Sequence, residues 1–98
     1  MISMAVVEVT AFTLSGDEQA FRAVDARMQT DFAYQQPGLL RRTTARGDDG
    51  QWLVLTLWSD EASADACARN ALDDPVARDF ASYAAPNSTR TKRFTLLE

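Results

Sequence analysis

The chain contains no histidine. Histidine is the commonest side-chain base near neutral pH and the commonest metal ligand, so both uses are closed. No Ser–His or Cys–His nucleophilic pair can form, nor a histidine-based zinc or haem-iron site. A single cysteine, Cys67, excludes an internal disulfide and suits a reducing compartment. No apolar run approaches the ~20 residues of a membrane span. The opening Met1-Ile-Ser-Met4-Ala-Val-Val lacks the basic region and the long apolar stretch of a signal peptide, so a soluble, cytoplasmic protein is expected. Positive charge is also short: ten Lys and Arg stand against fourteen Asp and Glu, and a net charge of −4 disfavours general nucleic-acid binding.

What is present fits one domain spanning residues 1–98. A chain of this length buries only about 60–70% of the surface its unfolded form exposes, so a partner subunit covering an apolar face would stabilise it. Val6 to Leu14 is rich in β-branched and aromatic residues and predicts a first strand. Ser15-Gly-Asp-Glu18 matches a capping box. Behind it, Phe21, Val24, Met28 and Phe32 recur at helical spacing, with Glu18 and Arg22 paired on the outer face. That amphipathic helix of about five turns, at ~3.6 residues each, ends at Pro37-Gly38.

Leu39 to Arg46 predicts a second strand and Gly47-Asp-Asp-Gly50 a hairpin turn. Gln51 to Trp58 is the most apolar strand. Its alternation places Trp52, Val54, Thr56 and Trp58 on one face and Leu53, Leu55 and Leu57 on the other, which marks it as internal or covered by another subunit. Ser59 serves as a cap for a second helix, with Asp60 and Glu61 in its first turn. Asp74 and Pro75 open a short helix through Val76, Phe80 and Tyr83, and Thr89 to Leu97 predicts the last strand. The resulting β-α-β-β-α-β order is the split βαβ or ferredoxin-like arrangement, an α+β fold with one antiparallel sheet and helices on one face. The uncovered face calls for a homodimer.

These residues resemble the antibiotic-biosynthesis-monooxygenase-type family of dimeric α/β barrels. The likeness spans nearly the whole chain and rests on the order of Pro37-Gly38-Leu-Leu, an apolar strand ending in Trp58, Ser59-Asp-Glu-Ala62, and Asp74-Pro75-Val-Ala-Arg-Asp-Phe80. Each motif is short. The resemblance implies a pocket between helices and sheet with Trp58 at its edge. It also implies one of several activities: oxidation of aromatic polyketides by molecular oxygen without metal or flavin, haem degradation, or none. The position nine residues after Trp58, often histidine in such proteins, is Cys67. The first strand also lacks the asparagine of haem-degrading members, and both departures count against haem chemistry.

Trp58 is suited to stack on a flat aromatic and to donate its indole N–H to a carbonyl, or equally to anchor strand to helix as a core residue. Thr56 and Phe32 share its side of the candidate pocket, and Cys67 and Tyr83 complete the set of candidate substrate-binding residues. Cys67 without a histidine reads as an inert thiol. Tyr83 and Tyr34 suit packing as well as proton donation. Trp52 reads as packing or a dimer contact. The small-residue second helix (Ala62 to Ala71) leaves room for a ligand, although alanine is also the best helix former. Arg41, Arg42, Arg46, Arg90, Lys92 and Arg93 lie on the second and last strands, where one could hold a phenolate, or all could guard solvated edges. Asp48-Asp49 and Asp73-Asp74 sit at a turn and a cap and do not constitute a metal site.

The expected function is a cofactor-independent monooxygenase acting on a polyketide-type aromatic, with no catalytic base identified. The alternative is a non-catalytic dimeric domain that binds a small molecule or partner. An RNA-recognition module shares the element order, but the third strand has no aromatic between Trp52 and Trp58 and the charge is negative.

Overall fold

The computed structural model describes residues 4–97, so Met1 to Ser3, part of the stretch bearing on the signal-peptide expectation, lie outside the described residues. The strands are β1 (Val6–Thr13), β2 (Leu39–Arg46), β3 (Gln51–Trp58) and β4 (Arg90–Thr95). All pairings are antiparallel, in the order β2-β3-β1-β4. The two apolar strands therefore occupy the centre and the charged ones the edges, the ferredoxin-like arrangement. Helices α1 (Glu18–Arg27), α2 (Glu61–Ala71) and α3 (Pro75–Ala81) cover one face. No helix among the described residues is long and apolar enough to cross a membrane.

Both expected serine caps are displaced to aspartates. Gly16 has φ +108°, which a helix cannot contain, so α1 starts only beyond it, and the Asp17 carboxylate accepts from the Ala20 N–H at 2.8 Å. The Ser15–Glu18 capping box does not form: the Ser15 N–H donates to the Tyr83 carbonyl and Glu18 instead accepts from Arg46. In α2 the cap is Asp60, which accepts from the Ser63 N–H at 2.7 Å. Ser59 stays with the sheet because its N–H donates to the Gly38 carbonyl at 2.8 Å. Gly38 itself has φ +86°, and a Cβ there would stand 2.2 Å from Ser63 Oγ. Glycine is what lets the entry to β2 press against the junction of β3 and α2. Asp74 caps α3 and Pro75 occupies its first turn, as the sequence indicates.

The long amphipathic helix keeps its buried face but not its geometry. After Arg27 it widens into a π turn (Met28–Phe32) and then tightens into a 3₁₀ turn (Ala33–Gln35). The consecutive residues Phe32 and Ala33 are both buried. Phe21 is completely buried, with the rings of Phe12, Trp52, Phe80 and Tyr83 at centroid distances of 4.9–5.7 Å from its own. Trp52 is thus a packing residue of this cluster. A second cluster of Val6, Trp58 and Ala64 lies at the other end of the sheet. Truncation of Phe21 to alanine is expected to lower unfolding free energy by about 3–5 kcal/mol. Leu72→Ala, at a residue 73% exposed, should stay within about 0.5 kcal/mol. Urea titrations of the two variants provide the check.

Candidate functional site

Between the two hydrophobic clusters, the space under the π turn is left unfilled. The cavity has a volume of about 150 Å³. Met28, Phe32 and Ala33 form its roof, Phe80 and Cys67 its sides, and Val54, Thr56, Trp58 and Leu39 part of its floor. π turns widen a helix locally and recur at functional sites. Here the widening sets two large side chains, Met28 and Phe32, over the sheet. Cys67, one of the small residues of α2, leaves the space that a leucine would fill. A larger groove of about 510 Å³ runs outside, between α1 and the strands, but charged residues such as Glu18, Arg22, Asp25 and Arg46 line it. The smaller cavity is the better aromatic site because its walls are mostly apolar.

Of the five residues expected at a pocket, Trp58, Thr56, Phe32 and Cys67 meet at this cavity. Tyr83 does not line it. It packs on Phe21 at the far end of the sheet, past the last turn of α3, and its carbonyl receives the Ser15 N–H. Trp58 lines the cavity as a buried residue. It is 2% exposed, and its indole N–H donates to Thr56 Oγ at 3.0 Å, so that donor is already engaged within the protein. Tyr34 is held too: its hydroxyl accepts from the Arg42 backbone N–H at 2.9 Å.

The floor carries a polar row that the sequence pattern alone does not single out. In register across the sheet, Arg42 on β2 opposes Thr56 on β3, Thr56 opposes Glu8 on β1, and Glu8 opposes Arg93 on β4. Glu8 and Thr10 could have been found, since alternation along β1 puts them on the face of Val6 and Phe12. Arg42 could not. Its place depends on a bulge between Leu39 and Arg41, where the register shifts and Leu40 is left over, 56% exposed. The extra residue reverses the alternation, so Leu39 and Arg42 both lie under the helices.

The Arg42 side chain is 2% exposed and donates to Asp25 at 2.8 Å and to Gln29 at 3.1 Å, with its guanidinium 5.2 Å from the Phe80 ring centroid. Asp25 accepts from Thr44 as well. At the other end of the row, Arg93 donates to Glu8 at 2.8 Å and to Asp65 on α2. Burial pushes the Cys67 thiol up to about 11, the nearby Glu8 charge adds to the rise, and Arg42 opposes it. Cys67 is therefore a neutral thiol at physiological pH.

No family model matches the chain, and neither does any curated protein. Solved structures do. SnoaB, a cofactor-independent oxygenase from Streptomyces nogalater, is 24% identical, with 98% of this chain and 96% of that chain aligned at a TM-score of 0.77. A candidate antibiotic biosynthesis monooxygenase from Caulobacter crescentus is 13% identical over 99% and 93% of the two chains, TM-score 0.76. NE2512, a protein of unknown function from Nitrosomonas europaea, is 16% identical over 100% and 94%, TM-score 0.73. The chain has the fold of the antibiotic biosynthesis monooxygenases. With identities this low, the likeness establishes architecture, and the chemistry has to be argued from the cavity.

Two outcomes follow from the site's electrostatics. Removing one partner of a buried ion pair leaves an uncompensated charge, so Asp25→Ala is expected to cost about 3 kcal/mol of stability, read from chemical denaturation. Cys67 binds its proton more tightly folded than unfolded. Its contribution to stability is therefore complete below pH 9, the ordinary thiol value, and is lost as pH rises toward 11. Wild type should lose stability relative to Cys67→Ser across that window, and parallel curves would refute the assignment.

Proposed function

We propose that the protein is a cofactor-independent oxygenase for an electron-rich aromatic small molecule, working as a homodimer. The observation that carries this is the apolar cavity beneath the π turn, with aromatic walls and a polar row along its floor. A carbon acid conjugated to a phenolic ring supplies its own reducing power. Loss of one proton leaves a delocalised carbanion, which passes an electron to molecular oxygen. Recombination forms a carbon–oxygen bond, and elimination of water from the hydroperoxide leaves a carbonyl. In balance, a methylene and dioxygen become a carbonyl and water. The protein's part is to hold the ring, stabilise the anion and exclude bulk water. Histidine is not required for any of this. SnoaB, with the same fold, is a cofactor-independent oxygenase, which supports the choice of reaction.

The dimer reading rests on the open sheet face. Val7, Val9 and Ala11 of β1 oppose Leu57, Leu55 and Leu53 of β3, giving an apolar centre that is only half-buried in one chain. Arg41, Arg90 and Lys92 flank it on the edge strands. A second copy presents the same apolar stripe and can cover it by two-fold symmetry. Sedimentation should give a dimer for wild type and a monomer for Leu55→Asp.

Oxygen uptake with an anthrone-type substrate is the direct test of function. Turnover without added metal or flavin, together with saturable quenching of tryptophan fluorescence, is the expected result. Saturable quenching with no oxygen uptake across a panel of such substrates would return the chain to a non-catalytic binding domain.

A further inference from the structure

A chain without histidine still needs a proton acceptor if its cavity handles a carbon acid. Among the cavity's polar groups, the hydroxyls of Thr10 and Thr56 and the guanidinium of Arg42 do not accept a proton near neutral pH. The Cys67 thiol keeps its own proton. Glu8 is the carboxylate in the lining.

We propose that Glu8 is the proton acceptor of this cavity, that Arg93 is its positioning residue, and that Arg42 supplies the charge facing the anion formed. The proposal rests on the oxygenase reading for its substrate class, a carbon acid fused to an aromatic ring. Glu8 is half-buried, and one of its oxygens, Oε2, is fixed by Arg93 Nε at 2.8 Å. Arg93 is in turn tied to Asp65 on α2, so the carboxylate is clamped between β4 and the helix layer. Among the described residues, hydrogen bonds engage Oε2 and none engages Oε1, which is left for a substrate proton. Glu8 and Arg42 lie on opposite sides of Thr56 in the register, so their backbones stand two strand spacings apart, roughly 10 Å. One aromatic ring fits across that distance, with base and cation at its two ends. In the step itself, the substrate C–H bond breaks and an O–H bond forms on Glu8. The electron pair stays on the substrate, delocalised into the ring toward Arg42.

The experiment separates this assignment from the oxygenase reading. Under argon in D₂O, wild type is expected to accelerate deuterium entry into the methylene of anthrone, followed by mass spectrometry. Glu8→Gln should reduce that acceleration by about 10²-fold or more, the usual range for a general base, while anthrone still quenches tryptophan fluorescence. The wild-type exchange rate should fall with acid through the carboxylate range. The charged and titratable groups around Glu8 are Arg93 on β4, Asp65 and Cys67 on α2, and Arg42 on β2. Arg93→Gln, which releases Oε2, should lower the exchange rate while anthrone still quenches tryptophan fluorescence, a split between chemistry and binding that a purely structural role would not produce.

Exchange unchanged in Glu8→Gln, or a wild-type profile with no acid limb in the carboxylate range, would overturn the assignment. The second readout needs no variant and stands even if the substitution prevents folding. Wild-type exchange without oxygen uptake would keep Glu8 as the base and remove the oxygenase. Oxygen uptake retained in Glu8→Gln would do the reverse. Absence of both binding and exchange in wild type would overturn both.

Discussion

The buried guanidinium of Arg42 is the constraint around which the helix layer is arranged. A charge this deeply desolvated is tolerated only with close partners, and each partner comes from a different stretch of chain. Asp25 comes from α1 and Gln29 from the π turn, while Phe80 of α3 stands beside the guanidinium and the Tyr34 hydroxyl takes the residue's backbone N–H. To reach Arg42, α1 must cross β2 at a set height. The segment after it must then bend to bring Gln29 and Tyr34 to the same residue. The change from α to π to 3₁₀ geometry accomplishes that bend, and the widened turn is what leaves the cavity open. The ion pair and the pocket thus share one cause.

Elements with strong periodicity were legible in the sequence. The limits of β2 and β3 coincide with the predicted ones, and the buried face of α1 is the Phe21/Val24 stripe. What escaped were features where one residue changes the count. Leu40 reverses the inward–outward alternation of β2, and nothing in Leu-Leu-Arg-Arg says which leucine is the extra one. The caps escaped for a related reason. Ser15 and Ser59 are good capping residues, but each precedes an aspartate with a better position, and backbone contacts to Tyr83 and Gly38 hold both serines outside the helices. Tertiary hydrogen bonds, invisible locally, decided between two plausible caps.

The same physics alters the meaning of Trp58. As a strand-end aromatic it suits either stacking on a ligand or anchoring strand to helix. Its N–H is satisfied by Thr56 and its body is packed against Val6 and Ala64. A tryptophan fixed at both its apolar body and its polar edge offers a rigid wall, and it orients the Thr56 hydroxyl in the middle of the polar row. Its contribution to binding is therefore geometric: it sets the position of a floor that other residues make chemically distinctive.

The cavity of about 150 Å³ encloses roughly one ring, since an engineered apolar cavity of similar size binds benzene, so the further rings of a fused substrate extend beyond it. Shape alone discriminates weakly there, because an extra methylene in an apolar pocket changes binding by only about 1–3 kcal/mol. The polar row discriminates more strongly. A ligand that covers Glu8 without offering its carboxylate a partner removes that group's remaining access to water, at a cost of about 1–3 kcal/mol and more for a charged group. A ring bearing an acidic hydrogen at that edge avoids the cost. On the proposed oxygenase function, the row favours ionisable aromatics over plain hydrocarbons of equal size.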